Sequence, residues 1–237
     1  MYPFVFRLNA AGWAHLFAYG LLLPLMVVRA RRKVVGAPDA PLPDRLRYFQ
    51  GTTIELLMLV AGSLAVARAE RMQLFPSAFP PWYGIAAGIV AYASAVFYMR
   101  PRWRRAVERN TRVPHFFMPS NGTERAWWVV VSVLAGTGEE ITWRAVQTGL
   151  LAAATGSYPA AAVLSALSFG AAHAVQGWRS ASVIVVFALG FQTLVWLTGS
   201  LYVAMPVHIT YDITAGIAYG RLGRQLGYAP APTVPTR

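Results

Sequence analysis

Three charged side chains lie close together in an apolar stretch near the middle of the chain. They are Glu139, Glu140 and Arg144, within the sequence Gly136-Thr-Gly-Glu-Glu-Ile-Thr-Trp-Arg144. On an α-helix, Glu140 and Arg144 are one turn apart, so the carboxylate and the guanidinium can neutralise each other. Glu139 points about 100° away around the helix and has no local partner. A carboxylate in that position is a candidate general acid or base.

Two further groups of polar residues repeat the one-turn spacing. Phe169 and His173 are four residues apart, which places a phenyl ring and an imidazole on one helix face. His208 and Asp212 have the same spacing. Any one of these groups could be a structural polar contact between helices. Because three separate segments each carry one, we expect Glu139, His173, His208 and Asp212 to converge on one site.

The chain lacks the usual nucleophiles of proteases that act in membranes. It has no cysteine, no Gly-x-Ser triplet and no His-Glu-x-x-His sequence. Tyr211-Asp212 is similar to the Tyr-Asp pair of presenilin-type aspartyl proteases, but no second aspartate lies in an apolar run. The residues therefore favour a water molecule activated by Glu139, with imidazoles around it.

At these residues the sequence resembles the CPBP family of intramembrane proteases. That family includes the type II CAAX prenyl endopeptidases and bacteriocin-processing or self-immunity proteins. Its pattern is Glu-Glu-x-x-x-Arg, then Phe-x-x-x-His, then His-x-x-x-Asn or Asp, on successive parts of a membrane bundle. The resemblance covers about residues 125–220. In this chain the pattern falls on Glu139, Glu140, Arg144, Phe169, His173, His208 and Asp212.

The resemblance implies four catalytic candidates. Glu139 would be the base that activates the hydrolytic water together with His173, and His208 and residue 212 would stabilise the tetrahedral oxyanion. The family has Asn or Asp at the last position, and here it is Asp212. Because an ionised carboxylate cannot donate a hydrogen bond, Asp212 must either carry a proton or orient His208.

The resemblance also implies supporting residues and leaves the cofactor open. Glu140 and Arg144 would hold their helix in register, with Phe169 as a further supporting residue. The four catalytic candidates also form a plausible nitrogen and oxygen ligand set for a divalent metal such as zinc. The resemblance is compatible both with a metal-bound water and with a water activated by the glutamate alone.

Long apolar segments carry these motifs. The 237 residues are 56% hydrophobic and only 13% charged, about half the ~25% charge of an ordinary soluble domain. Turn signals at 156–159 and 198–200 divide the longest uncharged runs. We predict an all-α, polytopic transmembrane helical bundle of about seven spans. The predicted spans are 7–28, 50–67, 82–99, 126–150, 158–177, 181–198 and 201–220.

The positive charge of the chain predicts its orientation. A net charge of +12 could indicate a nucleic-acid partner, but the basic residues are confined to the connections between apolar runs. The connections after spans 1 and 3 hold most of them, and those connections should face the cytoplasm. We therefore predict an integral protein of the cytoplasmic (inner) membrane with the N-terminus outside, the C-terminus inside, the lipid bilayer as its surroundings and no nucleic-acid partner.

The organisation of the chain follows from the spans. Residues 1–125 should form spans 1–3 with basic cytoplasmic loops, residues 126–220 a CPBP-like catalytic core of spans 4–7, and residues 221–237 a short tail. The predicted function is an intramembrane endopeptidase that acts on a membrane-associated protein or peptide. The alternatives are a transporter whose buried carboxylates relay protons and a non-catalytic immunity protein. A transporter predicts an inverted repeat, which the polar residues do not display.

Overall fold

The computed structural model describes residues 8–35, 44–109 and 112–227, and every regular element within those ranges is helical. The N-terminal part begins with one long helix, in which a π-helical turn, Ala18–Leu22, joins two α-helical stretches. Its helices are α1 (Ala10–Phe17), α2 (Leu23–Val35), α3 (Arg45–Ala69), α4 (Trp82–Glu108) and the short α5 (Arg112–Phe116).

The second part of the chain carries all the polar motifs. Helix α6 (Gly122–Glu139) continues without a break through a π-helical segment, Glu140–Gln147, into α7 (Thr148–Thr155). We call Glu140–Gln147 the π segment. It is followed by α8 (Tyr158–Ala172), a 3₁₀ turn (Ala174–Gln176), α9 (Trp178–Thr198) and α10 (Ala204–Gln225).

Local sequence signals account for the ends of these helices. The Asn121 side chain accepts a hydrogen bond from the backbone of α6, and the Ser157 side chain does the same for α8. Helices α7 and α9 each end at a glycine with positive φ, Gly156 at 68° and Gly199 at 64°. Both predicted turn signals therefore mark real helix ends.

Four helical stretches are long and apolar enough to cross a membrane. They are Ala10–Arg31, Arg45–Ala69, Trp82–Glu108 and Trp178–Thr198, and each overlaps one predicted span. The other three predicted spans fall on α6 to α7, on α8 and on α10, and α8 has only 15 residues. The described chain is thus all-α with four candidate spans, as expected for an integral membrane protein.

Several predicted boundaries differ from the observed ones. Helix α4 runs on to Glu108, so the first half of the predicted basic loop after residue 99 is helical. Helix α10 extends past residue 220 to Gln225, and residues 228–237 of the predicted tail lie outside the described ranges. Helix α8 stops at Ala172, although its span was predicted to reach 177. The pattern of charged residues does not predict this helix end, because the surrounding run has no charged residue.

Helix α6 packs directly against α10, and the two helices run antiparallel. Gly136 faces Ile209, and Gly216 faces the indole of Trp128, so a side chain at either glycine would collide with its neighbour. The Trp128 indole also donates a hydrogen bond to the backbone carbonyl of Asp212, at 2.9 Å. This close approach brings the end of α6 next to the first turns of α10.

Candidate active site

The two glutamates lie on either side of a change in helix geometry. Glu139 is the last residue of α6, and Glu140 is the first residue of the π segment. The Glu140 side chain is fully buried, whereas the Glu139 side chain is 15% exposed. A π-helical segment has a wider turn than an α-helix and is frequent at functional sites. Neighbouring carboxylates thus have different surroundings.

His208 lies in the second turn of α10 and contacts both glutamates. Its Nδ1 atom is 2.8 Å from Glu140 Oε1, and its Nε2 atom is 3.8 Å from Glu139 Oε2. Because an ionised carboxylate can only accept, Nδ1 carries the hydrogen that is donated to Glu140. The Nε2 atom also lies 3.6 Å from Asp212 Oδ2, one turn further along α10.

His173 reaches the same carboxylate from the opposite side. It is the residue that directly follows α8, and its Nδ1 atom donates to the Phe169 carbonyl at 2.8 Å. Its Nε2 atom is 4.0 Å from Glu139 Oε1. Because a carbonyl oxygen can only accept, a neutral His173 has its free lone pair on Nε2. The end of α8 therefore places His173 beside Glu139.

The four catalytic candidates therefore lie around one point. Each imidazole has its Nδ1 atom engaged by a neighbour and its Nε2 atom directed toward the Glu139 carboxylate. The gaps of 3.8 and 4.0 Å exceed the ~3.2 Å upper range of ordinary N–H···O bonds. A water molecule about 2.8 Å from both atoms fits a gap of this width. Within the described ranges, the Glu139 side chain makes no hydrogen bond and no shorter ion pair.

Arg144 lies behind this group and does not enter it. Its Nε atom is 3.3 Å from Glu140 Oε2, and both side chains are almost completely buried. The guanidinium carbon lies 4.2 Å from the centre of the Phe169 ring and 5.3 Å from that of Phe191. Charge contact with Glu140 and the two ring faces therefore stabilise a guanidinium whose Nε and Nη1 atoms have no hydrogen-bond partner among the described residues.

Two features of the site were not predicted from the sequence. Glu140 was assigned only to Arg144, yet it also binds His208 and so fixes the orientation of that ring. Phe191 was not singled out, although its ring centre is 5.3 Å from that of His208. Its one sequence signal is the neighbouring Gln192, a polar residue in an apolar run.

The donor set of the site partly fits a metal ion. Histidine ligands of metals typically donate their second ring N–H to a carbonyl or carboxylate, as both histidines do here. However, two ligands of a tetrahedral zinc ion are about 3.4 Å apart, for bonds of ~2.1 Å, and the observed gaps are wider. Within the described ranges, no group of three or more His, Cys, Asp or Glu side chains meets the geometry of a metal site.

Comparison with known proteins gives one match. Residues 121–214 match the family model described as Type II CAAX prenyl endopeptidase Rce1-like. The matched range includes all three motifs and ends two residues after Asp212. No curated protein and no solved structure matches the chain. Residues 121–214 therefore form a domain of the Rce1-like type II CAAX prenyl endopeptidase family, which is a family of proteases.

Proposed function

We propose that this protein is an intramembrane endopeptidase that hydrolyses a peptide bond with a water molecule activated by Glu139 and His173. One observation carries the proposal: two imidazole Nε2 atoms face one carboxylate across gaps that suit a bridging water. The family match supports a protease over a transporter, because the matched family is a protease family.

The first step is the activation of water. Glu139 takes one proton from the water, while His173 Nε2 accepts a hydrogen bond from the second O–H and holds the oxygen in place. The oxygen then attacks the carbonyl carbon of the scissile peptide, and a new C–O bond forms. The hydrogen bond from Nδ1 to the Phe169 carbonyl supports this role because it keeps the lone pair on Nε2.

The second step is the breakdown of the tetrahedral intermediate. A protonated His208 donates from Nε2 to the oxyanion, and the Glu140 carboxylate next to its Nδ1 atom balances its positive charge. Glu139 returns its proton to the peptide nitrogen as the C–N bond breaks, which releases an amine and a carboxylic acid. Because Glu140 already orients His208, Asp212 is assigned to direct hydrogen bonding: it carries a proton and donates it in a hydrogen bond to the oxyanion.

A divalent metal is the alternative activator at the same point. The side chains that would hold it are Glu139, His173 and His208, and the metal would supply Lewis-acid activation of the water. The two gaps between Glu139 and the histidines would have to shorten to accommodate it. Chelation of the purified protein separates the two versions, because only the metal-dependent version loses activity and regains it with added zinc.

The proposed setting is a seven-span bundle with its N-terminus outside. Contacts between helix ends support it: Arg45 of α3 binds Glu124 of α6 at one end of the bundle, at 3.2 Å. At the other end the start of α1 meets the end of α3, where Gly12 donates to Glu70. Arg45 and Glu124 both lie at the starts of their helices, so α3 and α6 run in the same direction, whereas α1 and α3 run in opposite directions, as the seven-span order requires. Basic residues near the first of these ends support a cytoplasmic location for it.

The proposed substrate is a membrane-associated protein or peptide. The family name implies cleavage near a prenylated CAAX C-terminus, while the broader resemblance includes bacteriocin-type peptides. Both classes bring a scissile bond close to the membrane surface. We therefore propose two probes: a quenched fluorescent peptide with a farnesylated CAAX end, and a reporter protein anchored by one transmembrane segment.

The test is a comparison of single variants of the full chain in lipid nanodiscs. Glu139→Gln and His173→Ala should each lower kcat by about 100-fold or more, as expected for loss of a general acid or base. Both variants should stay folded, because neither side chain is fully buried. Glu108→Gln is the matched control, since Glu108 is exposed and pairs with Arg104 far from the site.

Full activity in Glu139→Gln would overturn the mechanism. Cleavage of neither probe by the wild type, with the protein folded and zinc supplied, would contradict the endopeptidase assignment for those two substrate classes.

A further inference from the structure

The backbone carbonyl of Trp143 collects hydrogen bonds from three different helices. The Thr148 hydroxyl of α7 and the Ser165 hydroxyl of α8 each lie 2.7 Å from this oxygen. The Gln192 amide of α9 is 3.5 Å from it and 2.7 Å from the Thr148 hydroxyl. Trp143 lies inside the π segment, three residues after Glu140.

The side-chain donors compensate for the weak backbone geometry of a π-helix. The Thr148 backbone N–H also bonds the Trp143 carbonyl, which is the bond over five residues that defines this geometry. Thr148, Ser165 and Gln192 are all at least 97% buried. Three buried polar side chains that converge on one oxygen are stable only when their hydrogen bonds form together, so this arrangement favours the π form of the segment.

The anchored segment carries the ion pair of Glu140 and Arg144 beside the candidate active site. Glu140 is its first residue, and Glu140 fixes His208 through a hydrogen bond of 2.8 Å. The indole of Trp143 also contacts the Phe169 ring, with centres 5.1 Å apart, and that ring stacks on His173 at 4.5 Å. A rotation of the segment around its axis would therefore displace both imidazoles relative to Glu139.

We propose that Thr148, Ser165 and Gln192 are positioning residues for the hydrolytic reaction, which they serve by holding the Trp143 carbonyl and with it the π segment. The proposal rests on the proposed function, because the geometry they maintain is that of Glu139 and the two histidines. None of the three touches the reacting atoms. Loss of any of these three side-chain hydrogen bonds should therefore lower kcat more than it raises KM.

The experiment compares isosteric and conservative changes at one position. Thr148→Val removes the hydroxyl and keeps the shape, whereas Thr148→Ser keeps the hydroxyl. Thr193→Val is the matched control, because the Thr193 hydroxyl is exposed and bonds a backbone carbonyl of its own helix. Each variant of the full chain is assayed in nanodiscs for kcat and KM on the farnesylated peptide and the anchored reporter.

Hydrogen exchange of the backbone supplies a second measurement that needs no substrate. Peptides that cover residues 139–148 report whether the π segment opens more often. Thr148→Val should lower kcat about tenfold, the effect of a loss of ~1.4 kcal/mol, with KM unchanged within about twofold. It should also speed exchange in this segment. Thr148→Ser should have the kcat and the exchange rate of the wild type. Thr193→Val should leave both quantities unchanged.

Other results would contradict the positioning role alone, or the positioning role and the proposed function together. Wild-type kcat and exchange in Thr148→Val, with Glu139→Gln inactive, would overturn the positioning role and leave the proposed function intact. Equal loss of kcat in Thr148→Val and Thr148→Ser would also overturn it, since the hydroxyl would not matter. Full activity in Glu139→Gln would overturn the proposed function and the positioning role together.

Discussion

Glu139 and Glu140 are adjacent and chemically identical, yet the structure predicts different results when each is replaced by glutamine. Glu140→Gln removes the negative charge next to Arg144, whose side chain is only 1% exposed. At 3.3 Å and an effective dielectric constant of about 20, the lost attraction is about 5 kcal/mol. Breaking a buried ion pair typically costs about 3–5 kcal/mol. For a chain of this size, that lowers the Tm by roughly 6–20 °C.

The neighbouring substitution should leave stability almost unchanged. Among the residues that the structure describes, the titratable groups that contact Glu139 are two imidazole nitrogens at 3.8 and 4.0 Å, and no side chain donates a short hydrogen bond to it. Glu139→Gln should therefore change the free energy of unfolding by less than about 0.5 kcal/mol. Activity is expected to fall in both variants: in Glu139→Gln because the proposed base is lost, and in Glu140→Gln because His208 is displaced.

A double variant isolates the ion pair. Glu140→Gln combined with Arg144→Met removes both buried charges, so the isolated guanidinium no longer has to be accommodated. The double variant should recover about 2 kcal/mol or more of the stability lost in Glu140→Gln alone. The cycle consists of the wild type, Glu140→Gln, Arg144→Met and the double variant. The thermal unfolding of each in nanodiscs is monitored by circular dichroism and by intrinsic tryptophan fluorescence.

Two results would refute this reasoning. One is an equal loss of stability in Glu139→Gln and Glu140→Gln, which would mean that the two carboxylates have the same surroundings. The other is a double variant no more stable than Glu140→Gln, which would mean that the charge on Arg144 is not what destabilises the single variant.

Two more predictions test the other side of the site. Asp212→Asn should keep kcat within about threefold, because an amide can donate to the oxyanion and the family pattern has either residue. Asp212→Ala removes the donor and should lower kcat about 100-fold. An inactive Asp212→Asn variant in the peptide assay would show that a carboxyl group is needed. Gly216→Leu should prevent the approach of α6 to α10, because a Cβ there collides with Trp128. The yield of folded protein by gel filtration should collapse for it but not for Gly190→Leu, since a Cβ at Gly190 meets nothing within 4 Å.

Much of the site could be predicted from spacing because each motif is local. Glu140 with Arg144, Phe169 with His173, and His208 with Asp212 are all four residues apart, and each pair is in contact in the structure. Helix propensity and hydrophobic periodicity fix such pairs without knowledge of the tertiary fold. The family pattern then indicated that the three groups belong together, and the structure brings them together.

The π segment could not be predicted in the same way. Its hydrogen-bond register depends on two donors from other helices, Ser165 and Gln192. Local sequence patterns do not predict that these side chains reach the Trp143 carbonyl. The end of α8 presents a similar difficulty. His173 ends the helix because a 3₁₀ turn and Gly177, with φ 96°, follow it, but the uncharged run around it continues to Trp178.

The change of helix type at Glu140 explains how two consecutive carboxylates can act on one imidazole. Glu140 contacts Nδ1 of His208, and Glu139 faces Nε2 of the same ring. Glu140 Oε1 is hydrogen-bonded to His208, and Oε2 lies 3.3 Å from Arg144 Nε in fully buried surroundings. A proton from water could reach this carboxylate only if those contacts were disturbed. Within the described residues no hydrogen bond engages the oxygens of Glu139, which leaves this carboxylate accessible for its proposed role as the base.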